Sequence, residues 1–141
     1  MPNDTRLKQR ATYGFWTAER VRFGDTDRLG HVNNAVYSTY FETARVELMD
    51  QLIRGPESYF VIARMAIDFT AELRELGPIE IGTAITGIGR SSFTTGQAVF
   101  QGALCAATGE GTVVLIDAAT RRATPLPEEM RARLEALMPP A

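Results

Sequence analysis

One stretch of this sequence has a helical period, and the residues after it are mostly strand-like. From Asn34 to Leu52, apolar residues recur at steps of three and four, and polar residues occupy the opposite side. The apolar positions are Tyr37, Tyr40, Phe41, Ala44, Leu48 and Leu52. Gly55 and Pro56 end the helix. A single amphipathic helix has to bury its apolar side, so the strands must supply the surface that receives it.

The strand-like segments are separated by short turns. Predicted strands cover residues 13–23, 59–69, 79–88, 93–106 and 112–117. Predicted turns lie at 76–78, 89–92 and 108–111. Connections this short favour antiparallel hairpins or a meander. The sequence therefore predicts an α+β fold in which one long helix is wrapped by a curved antiparallel sheet of about five strands. A different α+β sandwich is the alternative.

The two ends of the chain differ in character. Residues 1–12 are polar and are expected to be loose. After Pro125, a short C-terminal helix is predicted in which Met130, Leu134 and Leu137 align. No linker or internal repeat is visible, so residues 1–141 are expected to form a single domain.

The residue pattern of the strand predicted at 59–69 indicates that another protein chain covers one of its faces. Alternation places Val61, Met65 and Ile67 on the face that meets the helix. The opposite face would then carry Phe60 and Ile62 together with charged residues, a mixture too apolar for water and too polar for a core. We therefore expect a second subunit to cover part of this face, in a homodimer or homotetramer.

Composition excludes several classes of function. Fifteen Lys and Arg stand against seventeen Asp and Glu, for a net charge of −2, so nucleic acid is not an expected partner. The single cysteine, Cys105, excludes an intramolecular disulfide and is expected to be a buried, inert thiol. No apolar run approaches the roughly 20 residues of a membrane span, and the first residues lack a signal-peptide core. A cytoplasmic protein is the default expectation.

The residues whose side chains could take part in catalysis are concentrated between the first strand and the long helix, at positions 22–34. Asn33 is a candidate N-cap, because its side-chain oxygen can accept a hydrogen bond from the first helical turn. The unpaired amides of a helix that begins near Asn34 could polarise an acyl carbonyl and stabilise the oxyanion formed on attack. Asp, Asn and Gly also make ordinary turns and caps, which is the alternative interpretation of this segment.

A carboxylate beside those amides could act on an acyl group in two ways. As a direct nucleophile it needs no activation, because Asp is ionised at neutral pH. As a general base on water it would profit from a raised pKa. The helix N-terminus lowers the pKa of such a carboxyl and desolvation raises it, and both routes remain open.

A longer string identifies the segment more closely. Residues 23–37 read Phe-Gly-Asp-Thr-Asp-Arg-Leu-Gly-His-Val-Asn-Asn-Ala-Val-Tyr, and residues 40–45 read Tyr-Phe-Glu-Thr-Ala-Arg. This string resembles the signature of hotdog-fold acyl-CoA thioesterases of the 4-hydroxybenzoyl-CoA thioesterase-like family. The resemblance continues through Ile67-Asp68-Phe69, through residues 89–93 and through the closing Pro-Leu-Pro-Glu-Glu. It covers roughly residues 15–135.

The resemblance implies hydrolysis of an acyl-CoA thioester to a free acid and CoA, without metal or bound cofactor. It implies that Asp27 is the catalytic carboxylate and that Asp25 fixes the loop. The backbone amide of Asn34 is implied as the oxyanion donor, and Gly30 as the point where backbone and thioester approach closely. His31 and Asn33 occupy positions that vary in the wider family, and Asn33 is a candidate substrate-binding residue.

For several other residues, more than one role remains open. His31 is either a structural or substrate-positioning residue or a proton-transfer group. Tyr37 could line the acyl pocket, while Glu42 ranks behind Asp27 as the carboxylate. Arg90, with the serines after it, is either a hairpin turn or a site for a CoA phosphate. Those serines are Ser91 and Ser92.

Two other functions compete with hydrolysis. A hotdog hydratase would add water across an acyl double bond with an Asp and His pair, for which Asp27 and His31 are available, but the hydratase motif is absent. A noncatalytic acyl-CoA-binding module would keep the pocket without the carboxylate.

Overall fold

The computed structural model describes residues 5–53 and 55–140, in which one long helix lies across a five-stranded antiparallel sheet. The helix α1 spans Val36–Leu52. The strands are β1 (Phe15–Val21), β2 (Ser58–Phe69), β3 (Gly77–Ile88), β4 (Ser92–Gln101) and β5 (Leu104–Asp117). Their order across the sheet is β1-β3-β4-β5-β2, so β1 and β2 form the two edges. The predicted α+β hotdog arrangement is confirmed.

The helix buries the stripe that its sequence period predicts. Tyr40, Phe41 and Ala44 are at most 1% exposed and pack against residues of the sheet. Farther along α1, Leu48 and Leu52 pack with the short C-terminal helix α2 (Glu128–Glu135), which contributes Met130 and Leu134. The six predicted stripe residues of α1 are therefore all buried, and the helix predicted after Pro125 is confirmed.

The last hairpin differs from the prediction. The turn lies at Gly102, where φ is +59°, and not at residues 108–111. Residues 104–117 form one strand, within which Gly109 and Gly111 face the helix. A Cβ at Gly109 would lie 2.6 Å from Met65 Cε, so a neighbouring side chain occupies the space above this glycine. These glycines make room for packing inside a strand, whereas composition alone predicts a turn.

The faces of β2 also differ from the prediction. Its pairing with β5 shifts between Ile62 and Arg64, which marks a β-bulge. An extra residue reverses the alternation beyond it. Phe60 and Ile62 therefore point towards the helix before the bulge, and Met65 and Ile67 do so after it. The predicted single alternation along β2 is wrong at its midpoint.

The N-terminal segment is packed against the sheet where the sequence predicted a loose end. Two short 3-10 helices cover Thr5–Lys8 and Arg10–Thr12. Leu7 and Tyr13 are 5% and 6% exposed and lie on the side of the sheet opposite α1. Tyr13 fits over Gly82, where a Cβ would lie 2.5 Å from the ring. The expectation is wrong for residues 5–12, and residues 1–4 lie outside the described residues.

Candidate active site

The loop between β1 and α1 is held by its own backbone. The amide of Asp27 donates to the carbonyl of His31 at 3.0 Å, and the amide of Gly30 donates to the carbonyl of Asp27 at 3.0 Å. Gly30 has φ of +80°, a conformation that side chains rarely adopt. Arg74 donates from Nη1 to the carbonyl of Leu29 at 3.1 Å and so fastens the loop from outside. Gly30 is thus required by the turn itself.

Asp25 joins this loop to the helix. Its Oδ2 accepts the hydroxyl of Tyr40 at 2.6 Å and the amide of Arg22 at 2.9 Å. Its carbonyl accepts the amide of Asn33 at 2.9 Å. Burial, together with the hydrogen bond to Asp25, raises the pKa of Tyr40 above its ordinary value. These contacts make Asp25 the residue that fixes the loop, as the resemblance implied.

The start of the helix lies two residues later than predicted. α1 begins at Val36, and its N-cap residue is Ala35, which makes no side-chain cap hydrogen bond. The N-cap predicted at Asn33 is therefore wrong by two residues. Asn33 instead forms the turn that leads into the helix: its Oδ1 accepts the amide of Ala35 at 2.9 Å, and its carbonyl accepts the amide of Val36 at 3.0 Å. The amide of Asn34 has no hydrogen-bond acceptor within residues 5–53 and 55–140. It is therefore a free donor in the first turn before the helix.

A cleft of about 470 Å³ opens beside this amide. Its lining residues are Leu29, His31, Val32, Asn34, Tyr37, Phe69, Thr70, Ala71 and Glu72. The ring of Tyr37 is buried and stands edge-on to Phe69, with 5.4 Å between the ring centroids. Burial raises the pKa of Tyr37, so its hydroxyl stays neutral at physiological pH. The cleft is thus lined largely by apolar side chains, and it is also lined by Asn34, whose amide has no acceptor among the described residues.

Asp27 is close to the cleft without lining it. Its Oδ1 accepts the amide of Leu29 at 2.9 Å. Its Oδ2 lies 3.9 Å from Nδ1 of His31, and the Asp27 side chain is 26% exposed. His31, which does line the cleft, also approaches Glu72, with 3.8 Å between Nε2 and Oε1. The structure therefore places His31 between the Asp27 carboxylate and Glu72.

Glu72 is a polar member of the cleft that sequence reasoning missed. It lies just beyond the end of β2 and binds Arg74 at 2.7 Å through Oε2. Charged residues in a loop after a strand are the signal that could have identified it. The same loop is tied to the site, because the carbonyl of Leu73 accepts the amide of Val32 at 2.8 Å.

The structure does not bring the Arg90 turn to the cleft of the same chain. Residues 89–92 close the β3–β4 hairpin, and the amide of Leu126 donates to the carbonyl of Arg90 at 2.9 Å. The cleft lies at the other end of the sheet, where Thr70 Oγ1 bonds the carbonyl of Cys105. The ten residues of β4 separate the two ends by about 30 Å. Within one chain, residues 90–92 are therefore a hairpin turn.

Glu42, the alternative carboxylate, is exposed on the helix and does not line the cleft. The same helix buries a charge that was not anticipated. Arg45 is 6% exposed, and its Nη1 lies 3.4 Å from Oε1 of the fully buried Gln97. Desolvation lowers the pKa of Arg45. Gln97 in turn donates to the carbonyl of Phe41 at 3.1 Å, so this pair ties α1 to β4.

Neither a metal cluster nor a membrane helix is present in residues 5–53 and 55–140. These residues contain no group of three or more His, Cys, Asp or Glu side chains arranged to hold a metal ion. They also contain no helix that is both long enough and apolar enough to cross a membrane.

Comparison with known proteins finds one matching family model and several curated relatives. The model of the thioesterase-like superfamily matches residues 21–134. The acyl-CoA thioester hydrolase YbgC of Escherichia coli O6:H1 is 30% identical over 86 residues, which is 57% of this chain and 64% of that protein. An uncharacterized protein of Bacillus subtilis, YsmA, is 25% identical over 60% of each chain. The matches thus span about three fifths of these curated relatives.

Solved structures agree over nearly the whole chain. The PA5185 protein of Pseudomonas aeruginosa superposes with a TM-score of 0.84 at 28% identity, covering 94% of this chain and 96% of that one. A Thermus thermophilus thioesterase, crystallised with coenzyme A and Zn, has a TM-score of 0.77 at 34% identity, covering 89% and 95%. With its family match, its sheet and its single wrapped helix, the chain belongs to the thioesterase-like superfamily.

Proposed function

We propose that this protein hydrolyses an acyl-CoA thioester to the free carboxylic acid and CoA. The observation that carries the proposal is Asn34, which lines the cleft just before α1 and whose amide has no hydrogen-bond acceptor among the described residues. A thioester carbonyl that accepts a hydrogen bond from this amide becomes more electrophilic. The oxyanion formed on attack is stabilised by the same donor. The relationship to acyl-CoA thioester hydrolases supports CoA as the leaving group.

Asp27 supplies the carboxylate of the reaction in this proposal. Its Oδ1 is engaged by the amide of Leu29, which leaves Oδ2 as the oxygen that acts, either on the thioester carbon or on a water. His31 lies 3.9 Å from that oxygen and lines the cleft, so it orients the carboxylate and contacts the substrate. Gly30 and Asn33 hold the backbone in place, and Tyr37 forms the wall of the acyl pocket.

The protein acts as a homo-oligomer in the same proposal. β2 is an edge strand, and its Val61 and Ile62 side chains are 39% and 46% exposed. Apolar side chains on an open strand edge favour pairing with another chain. Arg90, Ser91 and Ser92 bind a CoA phosphate at the boundary between two subunits, since they are remote from the cleft of their own chain.

Incubation with a panel of acyl-CoAs and a thiol reagent tests the activity. The expected result is release of free CoA at a rate proportional to the enzyme concentration. Loss of enoyl absorbance without CoA release would identify a hydratase. Binding of acyl-CoA without turnover would identify a binding module, and either result would refute the proposed hydrolysis.

A further inference from the structure

Glu72 occupies a position in the cleft where a second carboxylate could act on the substrate. Among the described residues that line the cleft, Glu72 alone carries a carboxylate, because Asp27 lies beside the cleft without lining it. The side chain of Glu72 is also 57% exposed. A carboxylate in this position contacts the cleft on one side and bulk water on the other, so it can pass a proton from one to the other.

Arg74 fixes the position of Glu72. Its Nη2 and Nε donate to Oε2 of Glu72 at 2.7 and 3.1 Å, and its Nη1 donates to the carbonyl of Leu29 at 3.1 Å. The guanidinium thus joins Glu72 to the loop that carries His31 and Asp27. The other oxygen of Glu72, Oε1, accepts no hydrogen bond from any residue in 5–53 or 55–140, so it remains available to a bound molecule.

The ring of His31 presents Nε2 to that oxygen. Nδ1 of the same ring lies 3.1 Å from the carbonyl oxygen of Val32, which can only accept a hydrogen bond. Nδ1 therefore carries the hydrogen of the neutral ring, and Nε2 is an acceptor. Nε2 and Oε1 of Glu72 are 3.8 Å apart, too far for a direct hydrogen bond. Two acceptors at this separation can each receive one hydrogen from the same water, in bonds of about 2.8 Å.

We infer that Glu72 is the general base for the water that completes hydrolysis, and that Nε2 of His31 helps to position this water. This role rests on the proposed function and assigns the two carboxylates to different steps. Asp27 attacks the thioester carbon, and Glu72 activates the water that hydrolyses the resulting acyl-enzyme. Asp27 approaches Nδ1 of the His31 ring and Glu72 approaches Nε2, so the two carboxylates flank one ring and act in turn on one acyl group.

The first step transfers the acyl group to Asp27. Oδ2 forms a bond to the thioester carbon, the carbon–sulfur bond breaks, and CoA leaves as the thiolate, which takes a proton from solvent. In the second step, Oε1 of Glu72 removes a proton from the water while the water oxygen bonds to the acyl carbon. The bond between that carbon and Oδ2 breaks, and its electron pair returns to Asp27. The carboxylic acid is released, and Glu72 gives its proton to solvent.

Pre-steady-state kinetics of Glu72→Gln test this assignment. Glutamine keeps the size of the side chain and an oxygen for Arg74, but it cannot take a proton from water. The first step should proceed, so CoA is expected to appear in a burst of about one equivalent per active site. The steady-state rate that follows should be about 10²-fold lower than that of the parent. Mass spectrometry after a rapid acid quench should then detect the acyl group on the peptide that contains Asp27.

Glu75→Gln is the matched control. Glu75 is exposed in the same loop, does not line the cleft, and forms no side-chain hydrogen bond or ion pair in the described part of the chain. This variant should reproduce the kinetics of the parent. Glu72→Asp keeps a carboxylate on a shorter side chain, so it should turn over several-fold faster than Glu72→Gln. Circular dichroism and the Tm of each variant show whether its fold matches that of the parent.

Three results would overturn the role of Glu72 while leaving the proposed hydrolysis intact. The first is steady-state turnover of Glu72→Gln within about twofold of the parent. The second is a folded Glu72→Gln protein that loses the CoA burst together with turnover. The third is a Glu72→Asp rate no higher than that of Glu72→Gln. A parent that releases no CoA from any acyl-CoA would instead refute the proposed hydrolysis, and with it this role.

Discussion

The hydroxyl of Tyr40 is expected to account for a measurable share of stability. Tyr40 is 1% exposed and donates to Oδ2 of Asp25 at 2.6 Å, so Tyr40→Phe removes a partly buried hydrogen bond to a carboxylate. Such bonds contribute about 1.5–3 kcal/mol. For a domain of this size, that free energy corresponds to a fall in Tm of roughly 5–10 °C. Because Asp25 fixes the loop ahead of Asp27, turnover should fall together with stability.

The effect should depend on pH with a definite sign. The pKa of Tyr40 is raised in the folded protein above its ordinary value of 10.0. Below pH 10, the hydroxyl is protonated in both states and its contribution is complete. Above pH 10, the unfolded chain loses the proton while the folded chain keeps it, so the stability of the parent falls. The stability difference between the parent and Tyr40→Phe should therefore narrow as pH rises past 10.

Urea unfolding followed by circular dichroism at pH 7, 9, 10.5 and 11 measures this difference. Tyr59→Phe is the matched control: Tyr59 is 37% exposed, and its hydroxyl forms no hydrogen bond within the described residues. It should change stability by less than about 0.5 kcal/mol at every pH. A Tyr40→Phe protein as stable as the parent, with the same alkaline decline, would refute the reasoning.

Three further changes test other parts of the structure. Gly82→Ala places a Cβ 2.5 Å from the ring of Tyr13, so we expect a loss of about 1–3 kcal/mol and faster proteolysis near the N-terminus; an unchanged digestion pattern would contradict this packing. Asn33→Ala removes the bond to the amide of Ala35 in the turn before α1 and should cost about 1 kcal/mol in thermal unfolding, with a lowered kcat because the oxyanion donor loses its support. His31→Gln should raise KM several-fold and lower kcat by less than about tenfold, and a loss of kcat alone would make this residue a proton-transfer group.

The long helix was predictable because its signal is local. The three- and four-residue period places Tyr40, Phe41 and Ala44 in the core. The N-cap was predicted two residues too early, because Asn33 uses its side chain and carbonyl in the turn before the helix. The role of Asp25 was likewise implied by the motif. The signal for each of these predictions lies in one continuous stretch of the sequence, residues 23–52, even though the helix packs against distant strands.

The errors arise where distant residues decide the outcome. Gly109 lies inside a strand because Met65, from a different strand much earlier in the chain, fills the space above it. The bulge before Arg64 reverses which side chains of β2 point towards the helix, and no residue type at that position signals the bulge in the sequence. Residues 5–12 are packed because Gly82 leaves room for Tyr13, a contact between residues far apart in the sequence.

In the candidate site, too, the local sequence motif predicted some features, while distant residues decided others. The motif identified the loop and the free amide of Asn34, whereas Glu72 entered the cleft from the end of β2. The Arg90 turn is remote from the cleft in one chain, and only an assembly of two chains can bring the two together.

In the proposed mechanism, the carboxylate of Asp27 and the amide of Asn34 act on one thioester carbonyl. The most direct test is the kcat of Asp27→Asn, measured by CoA release on the best substrate of the panel. We predict a fall in kcat of about 10²-fold or more, with Tm unchanged, since the substitution keeps the size of the side chain. An Asp27→Asn protein with kcat within about twofold of the parent would contradict this mechanism.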